Sequence, residues 1–170
     1  MSTNIGNAIS DSIIETLKVG MQGKIANFPL NNVFWHISED IPHAAQCPAI
    51  GIYDNGWTKV METTRGRDAL GNIVSGLELR RYEITIRVWQ KGRKEDELKR
   101  ELREISDVIA GVLTDTNILE NTAAIGTVEG GDPTVAIGSG GALLAACELK
   151  VKVESYNVQG QSTYSGVGGL

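Results

Sequence analysis

The sequence predicts an α+β fold: a mostly antiparallel sheet packed by an N-terminal helix and a central amphipathic helix, with a flexible C-terminal arm. Three observations predict it. Two segments, over about residues 3–21 and 94–113, repeat apolar side chains at helical spacing. Two others, Leu77–Trp89 and Leu143–Val153, alternate apolar and charged residues with the period of a strand. The order helix, strands, helix, strands is not the strict alternation that builds a parallel α/β sheet.

The first helix begins after the capping residues Ser2, Thr3 and Asn4 and carries Ile5, Ile9, Ile13 and Leu17 on one stripe. Ile14 and Met21 broaden that stripe, Asp11 and Glu15 favour its positive end, and Gly20 and Gly23 bracket the exit. Val33–Ser38 is β-branched and aromatic, as a short strand requires. Ala49–Tyr53 predicts the next strand, and Asp54-Asn55-Gly56 predicts a tight hairpin turn into Trp57–Thr63.

Residues 64–76 are a Gly-punctuated connection of mixed polarity. After it, Tyr82, Ile84, Ile86 and Val88 alternate with Arg81, Glu83, Thr85 and Arg87, which predicts one buried and one wet sheet face. The second helix places Leu98, Leu102, Ile105, Ile109 and Val112 on one stripe. Its other face is laced with charges at i,i+4 spacing, Glu95 to Lys99 among them. Ala123–Val128 and Thr134–Ile137 read as weaker strands around Gly130-Gly131-Asp132-Pro133. The last strand alternates Leu143, Ala145, Cys147, Leu149, Val151 and Val153 with Glu148, Lys150, Lys152 and Glu154. One domain is expected over residues 1–155, and residues 156–170, Gly/Ser-rich from Gln159, form the arm.

The 170 residues suit a single core that needs neither disulfide nor metal. Sixteen basic and 21 acidic residues give a net charge of −5, which argues against a protein that coats duplex DNA through a basic face. The same sign suits a wall that nucleic acid slides past. Cys47 and Cys147 stand 100 positions apart and predict a reducing compartment. No secretory signal follows Met1, and the longest apolar run, Ala142–Cys147, is far short of the ~20 residues that span a bilayer.

Catalytic chemistry finds little support. His36, His43 and Cys47 are the one group of metal-ligand type, but no further His or Cys completes a four-ligand set. No nucleophile elbow or phosphate loop is present, and Gly126–Gly131 and Gly138–Gly141 lack the following helix that would hold a phosphate. The carboxylates of residues 95–104 alternate with Lys and Arg, as on a solvated helix face. Arg80, Arg81 and Arg87 with Trp89 admit a stacking surface for nucleic acid; Glu78 and Glu83 equally admit a salt-bridged sheet face, and a protein interface fits best. The expectation is no enzyme, no cofactor and no metal, but an assembly protein that works through edges and loops.

Three segments carry a family likeness: Leu79–Trp89 (Leu-Arg-Arg-Tyr-Glu-Ile-Thr-Ile-Arg-Val-Trp), the charged helix Glu95–Leu113 and the late strand Ala145–Val153. In element order and pattern, over residues 1–155, the chain resembles the tail terminator (tail completion) proteins of tailed bacteriophages. The resemblance implies a structural virion protein of the tail or neck, assembled in the host cytoplasm. It would close into a homo-hexameric ring that caps the tail tube and ends its polymerisation. Its partners would be the tail tube protein and the head connector or neck protein, with DNA passing through the lumen without sequence-specific binding and no membrane involved.

On this reading Arg65, Arg67 and Asp68 are candidates for an interface or lumen loop, and Arg81, Glu83 and Arg87, with Thr85, for an inter-subunit face. Two alternatives stand beside it. One is another head–tail joining component, such as a neck, stopper or tube protein. The other is a small ligand- or metal-binding module using His36, His43 and Cys47.

Overall fold

The computed structural model describes residues 3–25, 33–35, 47–62, 66–67, 69–74, 76–114, 123–137, 142–158 and 163–164. The chain is an α+β fold in which two helices pack on one face of a mostly antiparallel sheet.

Helix α1 spans Ile5–Gly20 and buries Ile5, Ile9, Ile13, Ile14 and Leu17, the stripe its spacing predicts. It starts two residues later than expected. Thr3–Asn4 is instead strand β1, paired antiparallel with Thr163–Tyr164 at the other end of the chain. Helix α2 spans Glu95–Thr114; Glu95, Asp96 and Glu97 fill its first turn, where they complement the helix dipole. It buries Leu98, Leu102, Ile105, Ile109 and Val112, and the Lys99 ammonium meets Glu95 at 2.5 Å.

The strands that carry the sheet are β2 (Val33–Trp35), β3 (Ala49–Glu62), β6 (Leu77–Gly92), β7 (Ala123–Gly130), β8 (Thr134–Ile137) and β9 (Leu143–Val158). Between β3 and β6 lie β4 (Gly66–Arg67) and β5 (Ile73–Val74), which pair only with each other; β10 is Thr163–Tyr164. The main sheet runs β2-β3-β6-β9-β7, with β8 also on β9. Strand β2 is parallel to β3, and residues 36–48 supply the dozen or more residues that a parallel connection requires. His36–Ser38, expected in this strand, lie outside the described residues.

The expected hairpin at Asp54-Asn55-Gly56 is a correction. Both halves of the segment belong to the single strand β3, and both pair antiparallel with β6. Asp54 faces Ile84 and Trp57 faces Tyr82, so Asn55 and Gly56 together oppose Glu83 and form a β-bulge. Gly56 has φ +91°, and its N–H donates to Asp54 Oδ1 at 2.8 Å. The residues that favour positive φ are used to insert one residue, not to reverse the chain. The reversal occurs at β4–β5, inside the segment expected as an irregular connection.

Strands β7 and β8 follow each other along the same edge of β9. From Gly130 opposite Leu149 to Thr134 opposite Ala146, the edge holds one residue more than β9. Gly131 bridges this break and donates its N–H to the Glu148 carbonyl at 2.7 Å. A Cβ at Gly131 would lie 3.2 Å from that same oxygen, so the close approach favours glycine. Strand β9 continues to Val158, three residues beyond the expected domain boundary, and β10 lies within the expected arm. The other residues of that arm, 159–162 and 165–170, lie outside the described residues.

The core sits between the helices and one sheet face. Ile50 and Ile52 of β3, Ile84, Ile86 and Val88 of β6, and alternate β9 residues from Ala145 to Val153 join the helix stripes in one cluster. The other sheet face is open to functional use.

Candidate functional site

On the open face, β6 presents Arg81, Glu83, Thr85 and Arg87, and β9 presents Glu148, Lys150, Lys152 and Glu154. The antiparallel register puts unlike charges opposite each other at Arg81 with Glu154, Glu83 with Lys152 and Arg87 with Glu148, while Thr85 faces Lys150. Glu129 of β7 similarly faces Lys150. The Arg81 guanidinium donates from Nε at 3.0 Å and Nη2 at 2.7 Å to Glu154 Oε1. Arg87 donates from Nε at 2.7 Å and also from Nη2 to Glu148 Oε1. Such half-exposed cross-strand pairs each contribute roughly 0.2–1 kcal/mol. Their larger effect is to cancel the field. A ladder of matched charges offers no basic stripe along which a phosphate backbone could track.

The expected site residues divide between two places. Arg81, Glu83 and Arg87 share the open face, as their alternation predicts. Arg67 lies in β4, exposed, with its Nη1 donating to the Gly71 carbonyl at 2.7 Å. Arg65 and Asp68 lie outside the described residues. The structure does not bring Arg67 to the β6 face; it stands on the β4–β5 hairpin.

Arg80 separates from the surface suggested for Arg80, Arg81, Arg87 and Trp89. Even-numbered β6 residues point to the helix side, so Arg80 and Glu78 are buried, 5% and 6% exposed, and ion-paired with each other. Trp57 lies against the guanidinium, 3.9 Å from ring centroid to Arg80 Cζ, a favourable cation–π contact. The period-2 pattern contained this signal; strand parity alone separates Arg80 from Arg81.

Sequence reasoning missed the open-face cavity. About 520 Å³ in volume, it lies where β8 and the Gly131–Asp132 break border β9 and β6. Trp89, Leu144, Ala146 and Ala136 line it with apolar surface, and Arg87, Glu148, Asp132 and Thr134 supply the polar groups. Trp89 is 3% exposed although it shares the parity of the charged face. Its ring packs tilted against Tyr53 at 6.5 Å, and Arg87 lies over both rings, 5.0 Å from Tyr53 and 5.9 Å from Trp89. No local signal marks this cavity, because its β6 wall, Arg87 and Trp89, is separated in sequence from the 131–148 segment that completes it, and only the β6–β9 register unites the two.

For the metal alternative, His36 and His43 lie outside the described residues. Among the described residues no three His, Cys, Asp or Glu side chains form a metal-binding group. Cys47 is half-buried; burial pushes its thiol above the ordinary value, against a smaller lowering effect from the Lys91 charge. Cys147 is buried, 3.0 Å from the Gly131 carbonyl and 3.4 Å from the Ser106 hydroxyl. Neither cysteine forms a disulfide. Among the described residues no helix is long and apolar enough to cross a membrane.

The sequence matches no protein-family model, and no curated protein is significantly similar to it.

Proposed function

We propose that the chain is a structural subunit of a tailed-phage virion: a tail terminator that closes into a ring, caps the tail tube and joins the tail to the head connector. One observation carries the self-assembly part of this reading. Of the six large apolar side chains exposed among the described residues, five fall between Trp57 and Leu77: Trp57, Val60, Met61, Leu70 and Leu77. They lie on the outer half of β3, the β4–β5 hairpin and the start of β6. Such a concentration marks a surface that a partner covers.

The remaining support is chemical. The open face is charged yet internally neutralised, and the chain as a whole is acidic. A ring lined by such surfaces lets DNA pass without gripping it. A heterologous contact between identical subunits closes into a ring when the rotation between neighbours permits. The tail-specific part rests on the resemblance in element order. On this reading Arg67 and its hairpin lie at a subunit boundary, and the hexamer meets the tail tube protein on one side and the head connector on the other.

The test is immunogold labelling of virions that carry the chain. Label confined to the head-proximal end of the tail is the expected result. Label along the whole tail would point to a tube protein, label within the connector to a neck or stopper protein, and unlabelled virions would overturn the reading.

A further inference from the structure

We propose that the tip of the β4–β5 hairpin of one copy, led by Leu70, seats in the open-face cavity of a second copy of this chain. The inference rests on the self-assembly part of the proposed function and is independent of where the assembly sits in a virion.

The hairpin tip has the form of a projection. Leu70 is 87% exposed, the most exposed large apolar side chain among the described residues. The turn that carries it is held by Gly71 at φ +84° and by the Arg67 guanidinium on the Gly71 carbonyl. An apolar tip therefore stands beside a cation.

The cavity has the complementary chemistry. Its apolar walls are Trp89, Leu144 and Ala146, and its rim carries the carboxylates of Glu148 and Asp132. The Asp132 side chain is 99% exposed, and its carboxylate lies 3.9 Å from Arg103. Glu148 is shared with Arg87 inside the same copy and keeps a 43% exposed side chain. An apolar group flanked by a basic one fits such a cleft better than an anion does, and the volume of about 520 Å³ is ample for a leucine with its neighbours.

Position within the sheet excludes a chain filling its own cavity. The hairpin joins β6 at Leu77, whereas the cavity meets β6 at Arg87 and Trp89. Along a strand that separation is about 35–40 Å. The two features are held apart by one continuous strand paired with β9 over its whole length. A projection at one end and a hole at the other make a head-to-tail contact, and identical copies joined in that way form rings or filaments.

The experiment uses the full-length protein in sedimentation velocity and native mass spectrometry, across concentrations up to the sub-millimolar range. Three samples are compared with wild type: Leu70→Glu, which spoils the projection; Thr134→Trp, which fills the cavity from its exposed rim; and an equimolar mixture of both. Thermal melts confirm that each variant folds, and Asp132→Lys serves as a second cavity variant that changes only the exposed rim. Wild type is expected to self-associate, each single variant to remain monomeric, and the mixture to stop at heterodimers. In the mixture one sound projection meets one sound cavity and no further contact remains. Leu70→Ala should weaken association about 10- to 100-fold, the range for losing one buried leucine. A wild-type chain that stays monomeric, single variants that assemble like wild type, or a mixture without heterodimers would each overturn the inference. Assembly that survives both variants would leave the ring reading standing and sink this contact alone.

Discussion

Gly20, the last residue of α1, faces Val112 of α2 so closely that a Cβ on Gly20 would lie 2.3 Å from Val112 Cγ1. The two helices meet here because one of them has no side chain. Gly20→Ala is therefore expected to destabilise the fold by roughly 1–3 kcal/mol, the usual range for overpacking a well-filled core. Val112→Ala introduced into the same chain should recover part of that loss. Urea unfolding of both singles and the double checks it, and strictly additive losses would disprove the contact. Gly111, on the exposed side of α2, is the contrast. Nothing lies within 4 Å of its Cβ position, so Gly111→Ala should stabilise by about 0.5–1 kcal/mol.

Glu78 and Arg80 form a buried ion pair beneath Trp57. Removing only the carboxylate, as in Glu78→Ala, leaves a buried guanidinium without its partner and should cost roughly 3–5 kcal/mol. Replacing both residues by Met should be far milder, because the desolvation penalty disappears with both charges. Denaturation midpoints measure this directly. A double variant as damaged as the single would show that the pair stabilises the fold on balance.

The β3 bulge depends on Gly56 at φ +91° and on the Asp54 carboxylate that accepts its N–H. No atom lies within 4 Å of a Cβ at Gly56, so the cost of Gly56→Ala is conformational and not steric crowding. A loss of about 1–2 kcal/mol is expected, the cost of holding an L-residue in left-handed space. Asp54→Ala should lose about 1 kcal/mol. Thermal unfolding checks both, and an unchanged Gly56→Ala midpoint would mean that the bulge can move.

Cys47 carries a pH prediction. Burial raises its thiol above the ordinary value, so the folded chain resists losing this proton more than the unfolded chain does. The resulting stability is fully present below the ordinary thiol range. It is lost as the pH rises from that range through the raised folded value. Cys47→Ala should flatten this alkaline decline. The thiol should also react with iodoacetamide more slowly than a free cysteine at neutral pH, since the thiolate is the nucleophile. Rapid labelling at neutral pH would contradict the burial.

The sequence by itself determined what depends on local periodicity. Both helices, the buried stripes Ile5–Leu17 and Leu98–Val112, and the two faces of β6 and β9 follow from spacing, because a buried face must repeat at 3.6 or 2 residues. The same parity placed Arg81, Glu83 and Arg87 together on the wet face and could have sent Arg80 to the other. Only the tertiary structure decided what depends on register. Asp54-Asn55-Gly56 is compatible with a turn or a bulge, and β6 selected the bulge by pairing with both halves of β3. Thr3 and Asn4 directly precede α1, and their pairing with Tyr164 and Thr163 in a strand could not be read from their own segment. The unlike-charge ladder and the cavity under Trp89 exist because β9 pairs with β6 at one register. A shift of one residue would turn every side chain of that strand to the opposite face. Local pattern fixes which side of a strand is apolar, whereas contacts between residues 61 or 73 positions apart are set by long-range pairing that no local pattern encodes.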